Sequence, residues 1–273
     1  MSDTTPQDDH YICNLDNAGI DTRAFEAMLR TSLAEFGLAS EDEIYEHIYN
    51  QVFRQTNVAP PKPAENDLLC RYLTPIKFHH FIDSRLLIFP SATQFRDRWE
   101  CSIPTDYNNA IERVLLELSL PSTRWPDYVR IKASEWNVSC WTRLEDYFED
   151  HLMWDAYAGG ADGVGITVRY KHLEAHLEKA VEKFDRDGQL QSGLVNYKTL
   201  SLLPFNKHRM FRKENEVRFA FRSFQTGATT ISIDEIFDSF CVRISPAASR
   251  QHRDMVRRLW LRYGGRDCIN WPR

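Results

Sequence analysis

The chain has 273 residues, of which 42% are hydrophobic, 12% aromatic and 27% charged. That is enough apolar material for a sizeable core and too much for a disordered, collagen-like or disulfide-scaffold protein. Its 39 acidic and 34 basic residues give a formal charge of -5, which excludes a uniformly basic nucleic-acid binder. No apolar stretch approaches the roughly 20 residues of a membrane-spanning helix, so no membrane partner is expected.

Residues 1–20 read as a flexible tail. Their acidic, polar opening lacks the basic start and apolar run of a signal peptide, so a cytoplasmic chain is expected. From residue 21 the pattern turns helical, with Phe25, Met28, Leu29, Leu33 and Phe36 at three- and four-residue spacing and Gly37 as a stop. Ser40 and Glu43 form a capping box, and Ile44, Ile48 and Val52 follow one face of a second helix. Residues 21–56 therefore predict a helical hairpin. Pro60, Pro61 and Pro63 break both helix and sheet, so 57–66 predicts a linker from which the hairpin is separable.

The main domain, 67–273, mixes short strands and helices. Strands are expected over 68–73, 86–90, 137–142, 163–170, 194–197 and 217–221. Helices are expected over 75–84, 111–118, 144–158, 171–184 and 234–240, with a basic amphipathic helix over 250–261. No regular strand–helix–strand rhythm emerges, which predicts an α+β fold with a mixed, largely antiparallel sheet and flanking helices.

The six cysteines, at 13, 70, 101, 140, 241 and 268, have long irregular gaps and form no CxxC pair, so reduced, mostly buried thiols and no metal site are expected. His172 and His176 stand four apart but flank Leu173 and Leu177, which suits a partly buried helix face better than a metal site. Gly159, Gly160, Gly163 and Gly165 read as a helix cap and tight turn, since no phosphate-loop lysine follows. Seven arginines between 250 and 273, interleaved with Trp260, Tyr263 and Trp271, suit either docking on the acidic remainder of the chain or contact with nucleic acid or a partner protein. The N-terminal hairpin is a second candidate partner surface.

Three segments carry a family resemblance. One is Leu69-Cys70-Arg71-Tyr72-Leu73 with Leu87-Ile88-Phe89-Pro90-Ser91 and, further on, Phe95-Arg96-Asp97-Arg98-Trp99-Glu100-Cys101. Another is Val138-Ser139-Cys140-Trp141-Thr142, leading into Met153-Trp154-Asp155-Ala156-Tyr157-Ala158 and Gly163-Val164-Gly165-Ile166. The last is Lys207 followed by Phe211-Arg212-Lys213-Glu214-Asn215-Glu216-Val217-Arg218-Phe219. In this order, over about residues 68–222, they resemble the prokaryotic domain-of-unknown-function family 2971. Arg96 and Arg98 depart from that pattern, standing where the family tends to carry Asn and Pro.

The order of Arg71, Ser139 and the pair Glu214/Glu216 also resembles the Arg-Ser-Glu arrangement of ADP-ribosyltransferases. The resemblance implies NAD as substrate, a transfer to protein or nucleic acid, and a role as a bacterial toxin or phage-defence effector. Cleaving the nicotinamide–ribose bond develops positive charge on the sugar, which a carboxylate stabilises. An arginine grips pyrophosphate in a fork, and aromatic faces stack on the base. Arg71, Tyr72, Trp141, Thr142, Trp154 and Tyr157 are the expected NAD contacts. Glu216, Glu214, Arg71 and Ser139 are the expected catalytic set, with Thr142 an alternative to Ser139 as the working hydroxyl. On a strand, residues 214 and 216 share a face. Two other readings stay open: a non-enzymatic module that binds nucleic acid or protein, and a metal-dependent nuclease using Asp97, Glu100, Glu214 and Glu216.

Overall fold

The computed structural model describes residues 21–37, 40–56, 59–95, 103, 105–145, 151–183, 189–197, 203–207, 209–223 and 227–268. The tail at 1–20 and the candidates Asp97 and Glu100 lie outside the described residues. Six strands form the central sheet: β1 Leu68–Leu73, β3 Trp136–Arg143, β4 Val164–Arg169, β5 Gln191–Leu194, β6 Glu216–Arg222 and β8 Cys241–Ile244. Their order is β5-β6-β3-β1-β4-β8, and each pairing is antiparallel. Two further strands, β2 Leu86–Phe89 and β7 Thr229–Ser232, pair as a separate ribbon. The α+β class and the antiparallel sheet are as the sequence predicts.

Residues opposite each other in an antiparallel ladder share a face, so the register sorts the side chains. Leu69, Trp141, Ile166, Val217, Phe219 and Val242 point to one face. There they meet α3 Pro75–Ser84, α7 Tyr170–Val181 and α8 Arg250–Arg262 through Phe78, Phe81, Leu173, Leu177, Val256 and Trp260. The basic C-terminal helix therefore docks on the core. Trp260 is fully buried, and its indole N–H donates to the Arg266 carbonyl at 2.7 Å.

The hairpin is α1 Thr22–Phe36 and α2 Glu41–Thr56. Asp21 caps α1, and Ser40 and Glu43 exchange the expected box contacts at the start of α2. The division at 57–66 does not hold as a packing boundary. Two amphipathic helices cannot cover each other's apolar faces completely, and α4 Thr105–Glu117 and α5 Trp125–Ser134 complete the cover. Leu29, Ile48 and Val52 share one cluster with Ile111, Leu115 and Trp125. Phe53 stacks on Trp136 at 6.1 Å, joining the hairpin to the sheet. The proline segment is a strap along the edge of β5: the Pro61 carbonyl accepts from the Leu194 amide at 2.9 Å. Gly193 makes this approach possible, since a Cβ there would stand 2.7 Å from Pro60.

Other expectations are corrected in detail. Leu194 and Val195 suggested a strand over 194–197, but the pairing runs over Gln191–Leu194, where Ser192 and Gly193 oppose Phe219 and Arg218. The stretch Asp234–Ser239 is a 3-10 turn, and Trp154–Ala158 winds as a π-helix. Cys241 and Cys268 form a disulfide with a Cα separation of 5.4 Å, so these two are not reduced thiols. The fold-back of α8 over β8 brings them together across 27 residues of sequence, a spacing without meaning in the primary structure. Cys70 and Cys140 are not disulfide-bonded, and Cys13 and Cys101 lie outside the described residues. Among the described residues no helix is long and apolar enough to cross a membrane.

A chain that starts at residue 66 loses the cover of Ile111, Leu115 and Trp125 as well as the β5 strap. The expected outcome is aggregation, measured as soluble yield and light scattering against the full chain. A soluble, cooperatively melting truncation would restore the separable hairpin.

Candidate functional site

The site begins where two strands part. β1 and β3 pair only at Leu69 with Arg143 and Cys70 with Thr142. Beyond that point β1 stays with β4 as far as Leu73, while β3 stays with β6 back to Trp136. The end of β2 enters the gap: the Val138 amide donates to the Pro90 carbonyl at 3.0 Å, which satisfies the backbone that β1 has left. A cavity of about 720 Å³ opens at the split. Arg71, Tyr72, Cys140, Trp141 and Thr142 line it from the parting strands, Lys77 and His80 from α3, Tyr157 from the π turn, and Lys207, Phe211, Glu214 and Glu216 from the approach to β6. Its size suits an organic ligand.

Arg71 lies on the face of the main core with Ser139 and Trp141. Its Nη1 donates to Ser139 Oγ at 3.2 Å and its Nη2 to the Ile88 carbonyl at 3.3 Å, and its guanidinium lies 5.9 Å from the Trp141 ring centre. No carboxylate pairs with it among the described residues, and burial lowers its pKa. Ser139 itself is fully buried and also accepts from the Trp141 indole at 3.0 Å. It does not line the cavity, so the expectation of a ligand-contacting serine is corrected. Ser139 orients Arg71 and Trp141 from behind, and Thr142 is the hydroxyl on the wall.

The acidic pair stands on the opposite face. Thr142 opposes Glu216 and Cys140 opposes Arg218, so these four project together, away from Ser139. Arg71, Ser139 and Glu216 thus sit on adjacent strands without converging on one point. Glu216 is almost wholly buried and fully engaged. Arg218 Nε donates to Oε1 at 2.8 Å, Arg218 Nη2 to Oε2 at 3.2 Å and Lys207 Nζ to Oε2 at 3.1 Å. Burial alone would raise its pKa; the charges of Arg218 and then Lys207 overcome this and hold it at about 2.

Glu214 is not on the strand. It ends the 3-10 turn Arg209–Glu214, and Asn215 follows in the left-handed region at φ 44. That turn, held by Asn215 Nδ2 on the Arg143 carbonyl at 2.8 Å, is what gathers the two carboxylates. Lys207 Nζ lies 2.6 Å from Glu214 Oε2, and Tyr157 donates to Glu214 Oε1 at 2.5 Å. Burial and then the Glu214 hydrogen bond raise the Tyr157 pKa. The two carboxylates, Lys207 and Arg218 sum to zero charge.

Tyr72, Trp141, Thr142 and Tyr157 line the cavity, whereas Trp154 does not. Trp154 is buried behind the wall, edge-on to Tyr72 at 4.9 Å and close over Gly165. Lys207, Cys140, Phe95 and Phe211 are wall residues that sequence reasoning missed. The Glu-x-Arg alternation at 216 and 218 is visible in the sequence, but nothing in it shows that the two charges are buried together. His176 donates to the Ser232 carbonyl at 2.7 Å. Compared with protein-family models, curated proteins and solved structures, the chain matches none.

Replacing Glu216 by Gln leaves Arg218 and Lys207 short of a buried anion, which costs about 3–5 kcal/mol. Urea unfolding at neutral pH should show that loss. The depressed pKa also fixes a pH window. Stability from Glu216 is present above the ordinary 4.5 and is lost as pH falls toward 2. That is about 3 kcal/mol in all, and the variant should lack this part of the acid dependence. Parallel pH profiles for the two proteins would overturn the assignment.

Proposed function

We propose that the cavity binds NAD and that the chain is an ADP-ribosyltransferase-like enzyme. The observation that carries this reading is Arg71. A half-buried guanidinium at a cavity wall, with no carboxylate partner among the described residues, favours an anionic ligand, and a pyrophosphate matches its fork. Trp141, Tyr72 and Tyr157 supply aromatic faces for a base. Glu214 and Glu216 place carboxylates on the opposite wall, neutralised there by Lys207 and Arg218. Transfer breaks the nicotinamide–ribose C–N bond, whose electron pair leaves with nicotinamide. The acceptor forms the new bond to the ribose and gives up a proton. Carboxylates fixed beside the sugar lower the barrier by stabilising its transient positive charge.

Lys207 sets the strength of that effect. While it bridges both carboxylates the cluster is neutral, and a phosphate that drew Lys207 away would leave one net negative charge. The nuclease reading fits less well, because Lys207 Nζ and the Arg218 guanidinium already occupy the places beside Glu214 and Glu216 that a metal would take. The Glu216→Gln protein combines a chemical loss with a folding loss, so Glu214→Gln is the cleaner variant.

The test is NAD titration by calorimetry together with release of nicotinamide. Arg71→Ala should weaken NAD binding about tenfold or more, the worth of charge-assisted hydrogen bonds. Glu214→Gln should retain binding and lower turnover by about a hundredfold. A wild-type protein that does not bind NAD sinks the proposal and favours a non-enzymatic binding module.

A further inference from the structure

We infer that the acceptor at this site is a single-stranded nucleic acid, held by the turn Arg209–Glu214 at the cavity mouth. This rests on the transferase reading and names its acceptor class. The turn joins two properties that seldom meet on one short segment. Its inner residues, Phe211 and Glu214, line the cavity. Its outer residues, Arg209, Arg212 and Lys213, are exposed and have no ion-pair partner among the described residues. Elsewhere the arginines are often occupied: Arg30 with Glu117, Arg124 with Glu41, Arg143 with Glu145, Arg257 with Asp267 and Arg266 with Asp238. Three uncommitted cations within five residues are a local excess in a chain of net charge -5.

The geometry suits a strand. Arg209 and Arg212 are three apart on a 3-10 turn and so lie on one side of it, separated by about 6 Å of rise. Lys77 is exposed on the α3 side of the cavity, so a chain of phosphates crossing the mouth meets a cation on that bank too. Exposed apolar surface lies close by: Met210 on the turn is 72% exposed, and Tyr157 on the cavity wall is 42% exposed. Bases can stack there, which an ordinary acidic peptide cannot exploit. A duplex is a poorer fit, because its bases must leave the stack to reach a recessed site. Among the described residues Asp155, exposed on the π turn beside Tyr157, is an opposing charge, and Glu214 is held by Lys207 and Tyr157.

The experiment measures fluorescence anisotropy of labelled single-stranded DNA and RNA of about 20 nucleotides with the full chain, between about 50 and 200 mM salt. The triple variant Arg209→Glu/Arg212→Glu/Lys213→Glu should bind at least tenfold more weakly. It should also flatten the slope of log affinity against log salt by about 2, the value for three phosphate contacts on a single strand. Its NAD binding should be unchanged, since none of the three lines the cavity. Arg258→Glu/Arg262→Glu on α8 serves as an equal-sign control and should leave most of the affinity. Equal affinities for wild type and triple variant overturn the inference, as does loss of binding in the α8 variant instead. A wild type that turns over NAD yet binds no oligonucleotide, or that labels acidic proteins only, overturns it while leaving the transferase reading intact. Oligonucleotide binding that depends on the lip without any NAD binding supports the lip and rejects the transferase.

Discussion

Burying Glu216 and Arg218 together at the start of β6 is the constraint on which the site depends. Each charge alone would be costly in the sheet interior, and attraction offsets desolvation only where the geometry is good and the remaining hydrogen-bonding capacity is filled. Both conditions are met. The two side chains are two residues apart on one strand face, so the pairing is built into the pleat. The Glu216 carboxylate accepts from Arg218 twice and from Lys207, and Arg218 Nη1 donates to the Pro204 carbonyl at 2.7 Å. The segment before β6 is thereby pinned: Lys207 cannot satisfy Glu216 unless the chain from 203 to 214 lies against the sheet. That segment brings Phe211 and Glu214 to the cavity wall.

The cavity follows from a second consequence of local hydrogen bonding. A strand that loses its neighbour must find another partner for its amides, and β3 finds it in Pro90 and Ser91 at the end of β2. Because β2 substitutes for β1 only at the backbone, the space between the side chains of β1 and β3 stays open. Residues from both faces of the sheet can then border one cavity, which a continuous sheet forbids. Arg71 borders it from the core face and Glu216 from the other. Cys140 stands between them, with its thiol close enough to bond Glu216 and to influence the charge of Arg71.

Much of the fold was legible because its signals are local. The strand at 68–73 and the helix at 75–84 carry their own turn residue, Thr74, and a proline at the first helical position, and both bounds match the structure. Asp21, Ser40 and Glu43 announced two helix starts for the same reason. What was illegible depends on contacts distant in sequence. The apolar faces of α1 and α2 look complete as a pair, and nothing in residues 21–56 reveals that Ile111 and Trp125 share their core. Pro60 looks like a break until Gly193 is known to admit it. The site behaved likewise. Residue types and chain order brought Arg71, Tyr72, Trp141, Thr142, Tyr157, Glu214 and Glu216 to notice, and the fold gathers these seven. Which face each occupies is a matter of register, and no spacing places Ser139 behind Arg71 or Trp154 behind Tyr72.

The two walls are electrostatically unequal, and the inequality orders the events of binding. Glu214, Glu216, Lys207 and Arg218 satisfy one another, so this cluster carries no net charge. Among the described residues Arg71 is hydrogen-bonded by Ser139 Oγ and the Ile88 carbonyl and is paired with no carboxylate. An anion is therefore drawn first to Arg71, on the core-face side of the split. Only the arrival of further negative charge near Lys207 can compete for its ammonium, because the two carboxylates hold it at 2.6 and 3.1 Å in a nearly water-free setting. A ligand anion that displaced Lys207 would expose carboxylate charge as it filled the cavity. Pairing one lysine with two glutamates would then make the site electrostatically quiet when empty and polarised when full.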